Sequence, residues 1–418
     1  MNARGRTAGI LGAIAGLAAA GTATGVAVER TAASRLRRRP DALADEPYGL
    51  LPADEVVSVT TIDGVRLHTE IVGRGYTQKG AKGDEQKSAK GDKQKCAKGD
   101  EQKGAKGDEQ KGAKGDEQKG AKGDEQKSAK GDEELTVVFV HGYCLDMGIW
   151  HFQRRALAGM SDPSSRLVFF DQRGHGRSDR ADPQTYTIDQ LGRDLDEVLA
   201  AVAPDGPLVL VGHSMGGMAV MALAEQRPDL IVERVVGVAL MSTSSGELDA
   251  VTLGFPKMVS WLRRPLTPLV TGAARHRAGW IERARTAGHD VTWLVTRHWS
   301  FGSADVSPSL VSYVERMNSS TPIETVAGFL ATLSDHHRTD ALPVLDGIET
   351  LVLVGDSDLM TPPEHSRRLA AALPGCELEE IEDGGHLALM EHPEEVDDLL
   401  RFFLRRAARA IPDRKAAR

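Results

Sequence analysis

A mostly parallel, doubly wound α/β sheet with helices on both faces is the fold this sequence predicts. Three observations predict it. First, an apolar run, Val209-Leu210-Val211, ends in Gly212-His213-Ser214-Met215-Gly216, and an Ala- and Met-rich helical stretch follows over 218–226. Second, short apolar runs at 135–140, 167–170, 235–240 and 350–354 alternate with amphipathic stretches of helical period. Third, the alternation breaks between 247 and 318, where four of the five tryptophans lie: Trp261, Trp280, Trp293 and Trp299.

Composition narrows the function classes. The chain has 418 residues, 40% of them hydrophobic, enough for one large domain with appendages. A net charge of −8 argues against nucleic acid as a main partner. The cysteines Cys96, Cys144 and Cys376 sit in unlike contexts and read as no disulfide framework. No spacing for zinc, haem or a phosphate-binding loop is present, so neither metal nor organic cofactor is expected.

Residues 8–28 carry no charge and are rich in Ala and Gly. Their length matches a transmembrane helix of about 20 residues. A membrane anchor is the first reading. A cleaved signal peptide, with Ala18-Ala19-Ala20 as its A-x-A site, and a peripheral or soluble helix compete with it. Arg30, Arg35, Arg37, Arg38 and Arg39 follow the segment, which for an anchor holds the body on the cytoplasmic side. Residues 40–52 read as a linker. The runs 56–61 and 65–72 form a hairpin around Asp63-Gly64. From 78 to 132 an octad recurs, Ala-Lys-Gly-Asp-Glu-Gln-Lys-Gly with small changes. A period of eight fits neither collagen nor a heptad coiled coil, and without large apolar residues it buries no core. It reads as a disordered insertion between two strands, tolerable because loop-closure entropy grows slowly with length.

The sheet then continues. The strand at 135–140 runs into His141-Gly142-Tyr143-Cys144. The strand at 167–170 runs into Asp171-Gln172-Arg173-Gly174-His175-Gly176-Arg177-Ser178. Leu191, Leu195, Val198, Leu199 and Val202 share one face of a helix over 187–203. Around Ser214, Gly212 and Gly216 let backbone approach backbone, and the strained apex lifts the serine hydroxyl clear of the sheet. The helix N-terminus beneath offers unpaired N–H groups and a positive dipole end. Such a setting suits a nucleophile that passes through an oxyanion. Prolines 256, 265 and 268 cut the segment 247–318 into short helices. Its aromatics form the segment's own core or line an apolar pocket. After the strand at 350–354 comes Gly355-Asp356-Ser357-Asp358. After a last strand at 377–381 comes Asp383-Gly384-Gly385-His386, a flexible loop able to swing an imidazole to the serine as general base. Pro393 opens a final amphipathic helix.

Over about residues 54–75 and 134–408 the chain resembles the α/β-hydrolase superfamily, a serine hydrolase with a helical cap. Gly212 to Gly216 match its nucleophile elbow, and Asp171 to Ser178 match its D-x-R-G-x-G-x-S loop in full. The resemblance implies Asp358 as the triad acid, with Asp356 the runner-up; in relatives whose acid follows an earlier strand, Glu247 or Asp249 takes that place. It implies backbone N–H groups of Tyr143 and Met215 as the oxyanion hole, a structural role for the Asp171 loop, and the segment 247–318 as the cap. His141 is expected to pin its turn, and Cys144 to pack. The order Ser214, Asp358, His386 is the superfamily's order of nucleophile, acid and base. The function expected is cleavage of a small-molecule carboxylic ester with an apolar acyl or alcohol part through an acyl-enzyme. Carbon–carbon bond hydrolysis, perhydrolysis and acyl transfer use the same machinery. A non-catalytic ligand-binding member is the alternative of a different class. A serine nucleophile argues against the superfamily's haloalkane dehalogenases and epoxide hydrolases, which use an aspartate.

Overall fold

The computed structural model describes residues 33–73, 134–248 and 289–416. The expected anchor or signal at 8–28, the octad insertion, Asp249 and the cap tryptophans Trp261 and Trp280 lie outside the described residues. The chain divides into one unit made of residues 1–74 and 133–418 and a second of 75–132. Among the described residues no helix is long and apolar enough to cross a membrane.

Eight strands form one sheet in the order β1-β2-β4-β3-β5-β6-β7-β8. They are β1 (Glu55–Thr60), β2 (Arg66–Val72), β3 (Leu135–Val140), β4 (Ser165–Phe170), β5 (Leu208–His213), β6 (Val235–Met241), β7 (Glu349–Gly355) and β8 (Glu377–Ile381). The hairpin β1–β2 is antiparallel and pairs antiparallel with β4; β3 through β8 run parallel. Strands β3 to β7 read as largely apolar runs because both faces are covered, whereas the edge strand β8 carries Glu377, Glu379 and Glu380. Successive side chains still part to opposite faces. Val138 and Val140 pack with Leu191, Leu195 and Leu199 of α2 (Ile188–Val202). Val137 and Phe139 pack with Val396, Leu400 and Phe403 of α10 (Pro393–Ala416).

The other helices are α1 (His151–Leu157), α3 (Met215–Gln226), α4 (Pro228–Arg234), α5 (His289–Ser300), α6 (Pro308–Ser320), α7 (Ile323–Asp335), α8 (Pro363–Ala372) and α9 (Ala388–Glu391). Two boundaries differ from the sequence reading. The elbow helix starts at Met215 rather than 218, since Ser214 itself occupies the cap position. The helical segment between β6 and β7 does not stop at 318: α6 runs to Ser320 and α7 follows it. Thr321-Pro322 is only a short break, and a proline there marks the start of a new helix as readily as the end of a domain.

Candidate active site

The site lies where the parallel strands end at their C-termini, as open α/β sheets favour. Strand β5 turns into α3 through Ser214, whose φ of 53° and ψ of −119° are strained for a residue with a side chain. The turn is held from both sides. The Ser214 N–H donates to the Met241 carbonyl (2.9 Å), and the Thr243 hydroxyl donates to the Ser214 carbonyl (2.7 Å). A Cβ at Gly216 would stand 2.1 Å from the Val140 carbonyl oxygen, so only glycine fits. The turn carrying Tyr143 sits against the serine too, because a Cβ at Gly142 would lie 3.1 Å from the Ser214 Cβ. Met215 opens α3, where the first N–H groups have no acceptor within the helix.

Asp358 and His386 meet at the ends of β7 and β8. The His386 Nδ1–H faces both carboxylate oxygens of Asp358, at 2.9 and 3.1 Å. That carboxylate also accepts from the N–H groups of Met360 (2.8 Å) and Thr361 (2.9 Å) and from the Thr361 hydroxyl (2.9 Å). Burial alone would raise the Asp358 pKa; the neighbouring His386 and these donors more than offset it and hold it below the ordinary carboxylate value. Asp356 is exposed, and Glu247, also exposed, pairs with Arg368 at 2.5 Å. Neither reaches the histidine. Ser214 and His386 line the same cavity. Among the described residues the serine hydroxyl makes no hydrogen bond, a looseness common before substrate binds.

His141 does what a pinning residue does. It is fully buried, its Nδ1–H donates to the Gly142 carbonyl (2.8 Å), and its Nε2 accepts from the Gln172 N–H (2.9 Å). In the loop after β4, Arg173 is completely buried and bonds to both Asp194 (2.5 and 2.6 Å) and Asp63 (2.9 and 3.2 Å). Its guanidinium holds the Asp63 carboxyl down to about 2. The hairpin, the loop and α2 are thereby tied together beneath the site.

Three contributors escaped the sequence reading. His213 is fully buried and its Nε2–H donates to the His386 carbonyl (2.9 Å). Burial, then the neighbouring His386, pushes its pKa down to about 3, so it stays neutral. Thr361 touches both Asp358 and His386 Nδ1, the latter at 3.3 Å. Glu391 accepts from the backbone beside His386. A Thr three residues after an Asp is a common turn pattern, and His213 was visible only as the variable position of the elbow. The loop before His386 is also less free than its glycines implied. A Cβ at Gly385 would lie 2.3 Å from the Gly302 nitrogen, so this glycine permits close backbone contact rather than a swing.

Above the serine is a cavity of about 460 Å³. Its walls include Met218, Trp299 and the α7 residues Ile323, Val326, Leu330 and Leu333. Among the described residues, no Asp, Glu, Lys or Arg lines it. Trp293, by contrast, is core: it is buried and its indole N–H donates to the Ser312 hydroxyl (2.9 Å). Trp299 thus lines the cavity, whereas Trp293 and Phe301 pack with residues of the sheet's core.

A family model described as the alpha/beta hydrolase fold matches residues 136–393. The chain belongs to that family and is a hydrolase. Among curated proteins it is similar to the mouse (Mus musculus) sn-1-specific diacylglycerol lipase ABHD11, 25% identical over 64% of this chain and 80% of that protein. It is likewise similar to Esterase PIR7B of rice (Oryza sativa subsp. japonica), 24% identical over 63% of this chain and 93% of that protein. Among solved structures, a thermophilic esterase from Thermogutta terrifontis superposes with a TM-score of 0.56 at 24% identity, covering 85% of this chain and 99% of that one.

Proposed function

We propose that the protein is a serine esterase acting on a carboxylic ester with an apolar acyl or alcohol part. The observation that carries this is a buried Asp358–His386 pair beside a cavity that has Ser214 in its wall and, among the described residues, no charged side chain. His386 takes the proton of Ser214, whose oxygen attacks the ester carbonyl. The N–H groups of Tyr143 and Met215 hold the oxyanion. The alcohol leaves with the proton from His386, and water, activated by the same imidazole, releases the acid. Asp358 keeps the imidazole in the right tautomer and stabilises the imidazolium. The described lining, without fixed charge, favours neutral groups, since a charged substrate group would find no partner among those residues. An anchor formed by 8–28 would hold this enzyme at a membrane; carbonate-resistant sedimentation of the full chain, lost on deleting that segment, is the matching result.

The test is turnover of p-nitrophenyl esters of increasing acyl length by the full chain, with Ser214→Ala beside it. Turnover confined to the wild type supports the reading, and the length profile sizes the acyl site. A folded wild type that turns over none of the series and takes no fluorophosphonate label would instead be a binding protein.

A further inference from the structure

Glu391 ends the short helix α9 and its carboxylate ties two distant segments together. One oxygen accepts from the N–H groups of Gly302 (3.0 Å) and Ser303 (2.9 Å). The other accepts from Gly302 (3.1 Å) and from Gly385 (2.6 Å), the residue before His386. On the far side of His386, the Leu387 N–H donates to the Ser300 carbonyl (2.9 Å). The backbone on both sides of the imidazole is thus fastened to residues 300–303. Those residues form the end of α5 and the turn after it, and α5 contributes Thr292, Val295, Trp299 and Ser300 to the cavity wall.

We infer that Glu391 is a positioning residue: its carboxylate holds the His386 backbone against the cap segment 300–303, keeping the imidazole aimed at Ser214 while substrate fills the cavity. The inference rests on the proposed serine mechanism. Glu391 reaches no reacting atom and acts only through the backbone of Gly385. Charge-assisted bonds from a carboxylate to backbone N–H groups are the stronger kind, and here they join segments whose glycines offer no side chains to interlock.

Glu391→Gln is the test, assayed on the full chain with p-nitrophenyl butyrate. Whichever way the amide lies, its NH2 faces either Gly385 or Ser303, both donors, so one arm of the tie is lost. The expected result is a kcat lower by at least about tenfold, towards the roughly hundredfold that an ångström of misplacement costs, with KM within about twofold. Labelling of Ser214 by a fluorophosphonate slows in step. Glu391→Asp, which keeps both acceptor oxygens, recovers part of kcat. A Gln variant with wild-type kcat overturns the inference, and a lowered melting temperature with kcat intact does so as well, leaving Glu391 only a structural tie. Should the Gln variant not fold, the Asp variant decides: lowered kcat at unchanged KM supports positioning, wild-type kcat overturns it. Ser214→Ala separates the two readings. Turnover that survives in it removes the serine mechanism, whereas a silent Ser214→Ala beside a wild-type Glu391→Gln removes the positioning role alone.

Discussion

Asp358 is a buried carboxylate whose two oxygens face four donors, which together favour its charged form. Replacing it with Asn puts an NH2 among those donors and favours the wrong tautomer of His386. Under the proposed mechanism kcat falls by on the order of 10³–10⁴-fold in ester hydrolysis while KM changes little. The depressed Asp358 pKa also fixes a sign. Its stabilising share is present above the unfolded-state value and is lost as pH falls through the lower folded value. His336 shows the opposite residue type. Its Nε2–H donates to the Ser244 carbonyl (2.9 Å), and Nδ1 faces Arg338 (3.1 Å). Burial, then Arg338, pushes its pKa down to about 4. The unfolded chain therefore binds the proton first, and the folded state loses stability as pH falls from about 6.5 towards 4. Denaturant melts of wild type and His336→Gln at several pH values check this. The stability difference, wild type minus variant, should shrink by on the order of 1 kcal/mol per pH unit across that window and stay flat above it.

At the scale of elements, the strands were the most legible part of the chain. Strands β3 to β7 are short apolar runs cut off by glycine or a polar loop, and the turns after β5, β7 and β8 carry Ser214, Asp358 and His386. The superfamily resemblance preferred Asp358 to Asp356; of the two, Asp358 is buried and Asp356 exposed. The segment 247–318 stood out as a break in alternation, but the helices between β6 and β7 run on past it to Asp335. Helix α7 has the ordinary amphipathic pattern of a sheet-covering helix, so nothing in its sequence says that it faces a cavity. Glu391, His213 and Thr361 were illegible for a related reason: each acts on backbone or side chains brought near only by folding. Because α7 supplies the wall of the cavity, it should set the acyl-length limit. Val326→Phe adds bulk to that wall and should move the optimum of the p-nitrophenyl ester series to shorter chains, with stability lowered by no more than about 3 kcal/mol. An unchanged length profile in a folded variant would place the acyl group elsewhere.

Across the whole molecule, the sheet and both of its covered faces come from residues outside the octad insertion. Strand β2 is held by β1 and β4, and β3 by β4 and β5, so neither depends on the connection between them. Deleting 78–132 should leave kcat/KM for p-nitrophenyl butyrate within about twofold, since shortening a loop changes its closure entropy only logarithmically. A large loss from folded deletion protein would give the repeat a part in the activity. The central claim concerns one bond, the ester formed between substrate acyl group and Ser214. The most direct measurement is to quench the full-length enzyme during turnover of p-nitrophenyl butyrate and map the added butyryl mass by peptide sequencing. The butyryl group is expected on Ser214, gone once substrate is exhausted, with neither adduct nor turnover in Ser214→Ala. Turnover with the acyl group on another residue, or turnover that persists in Ser214→Ala, would contradict it.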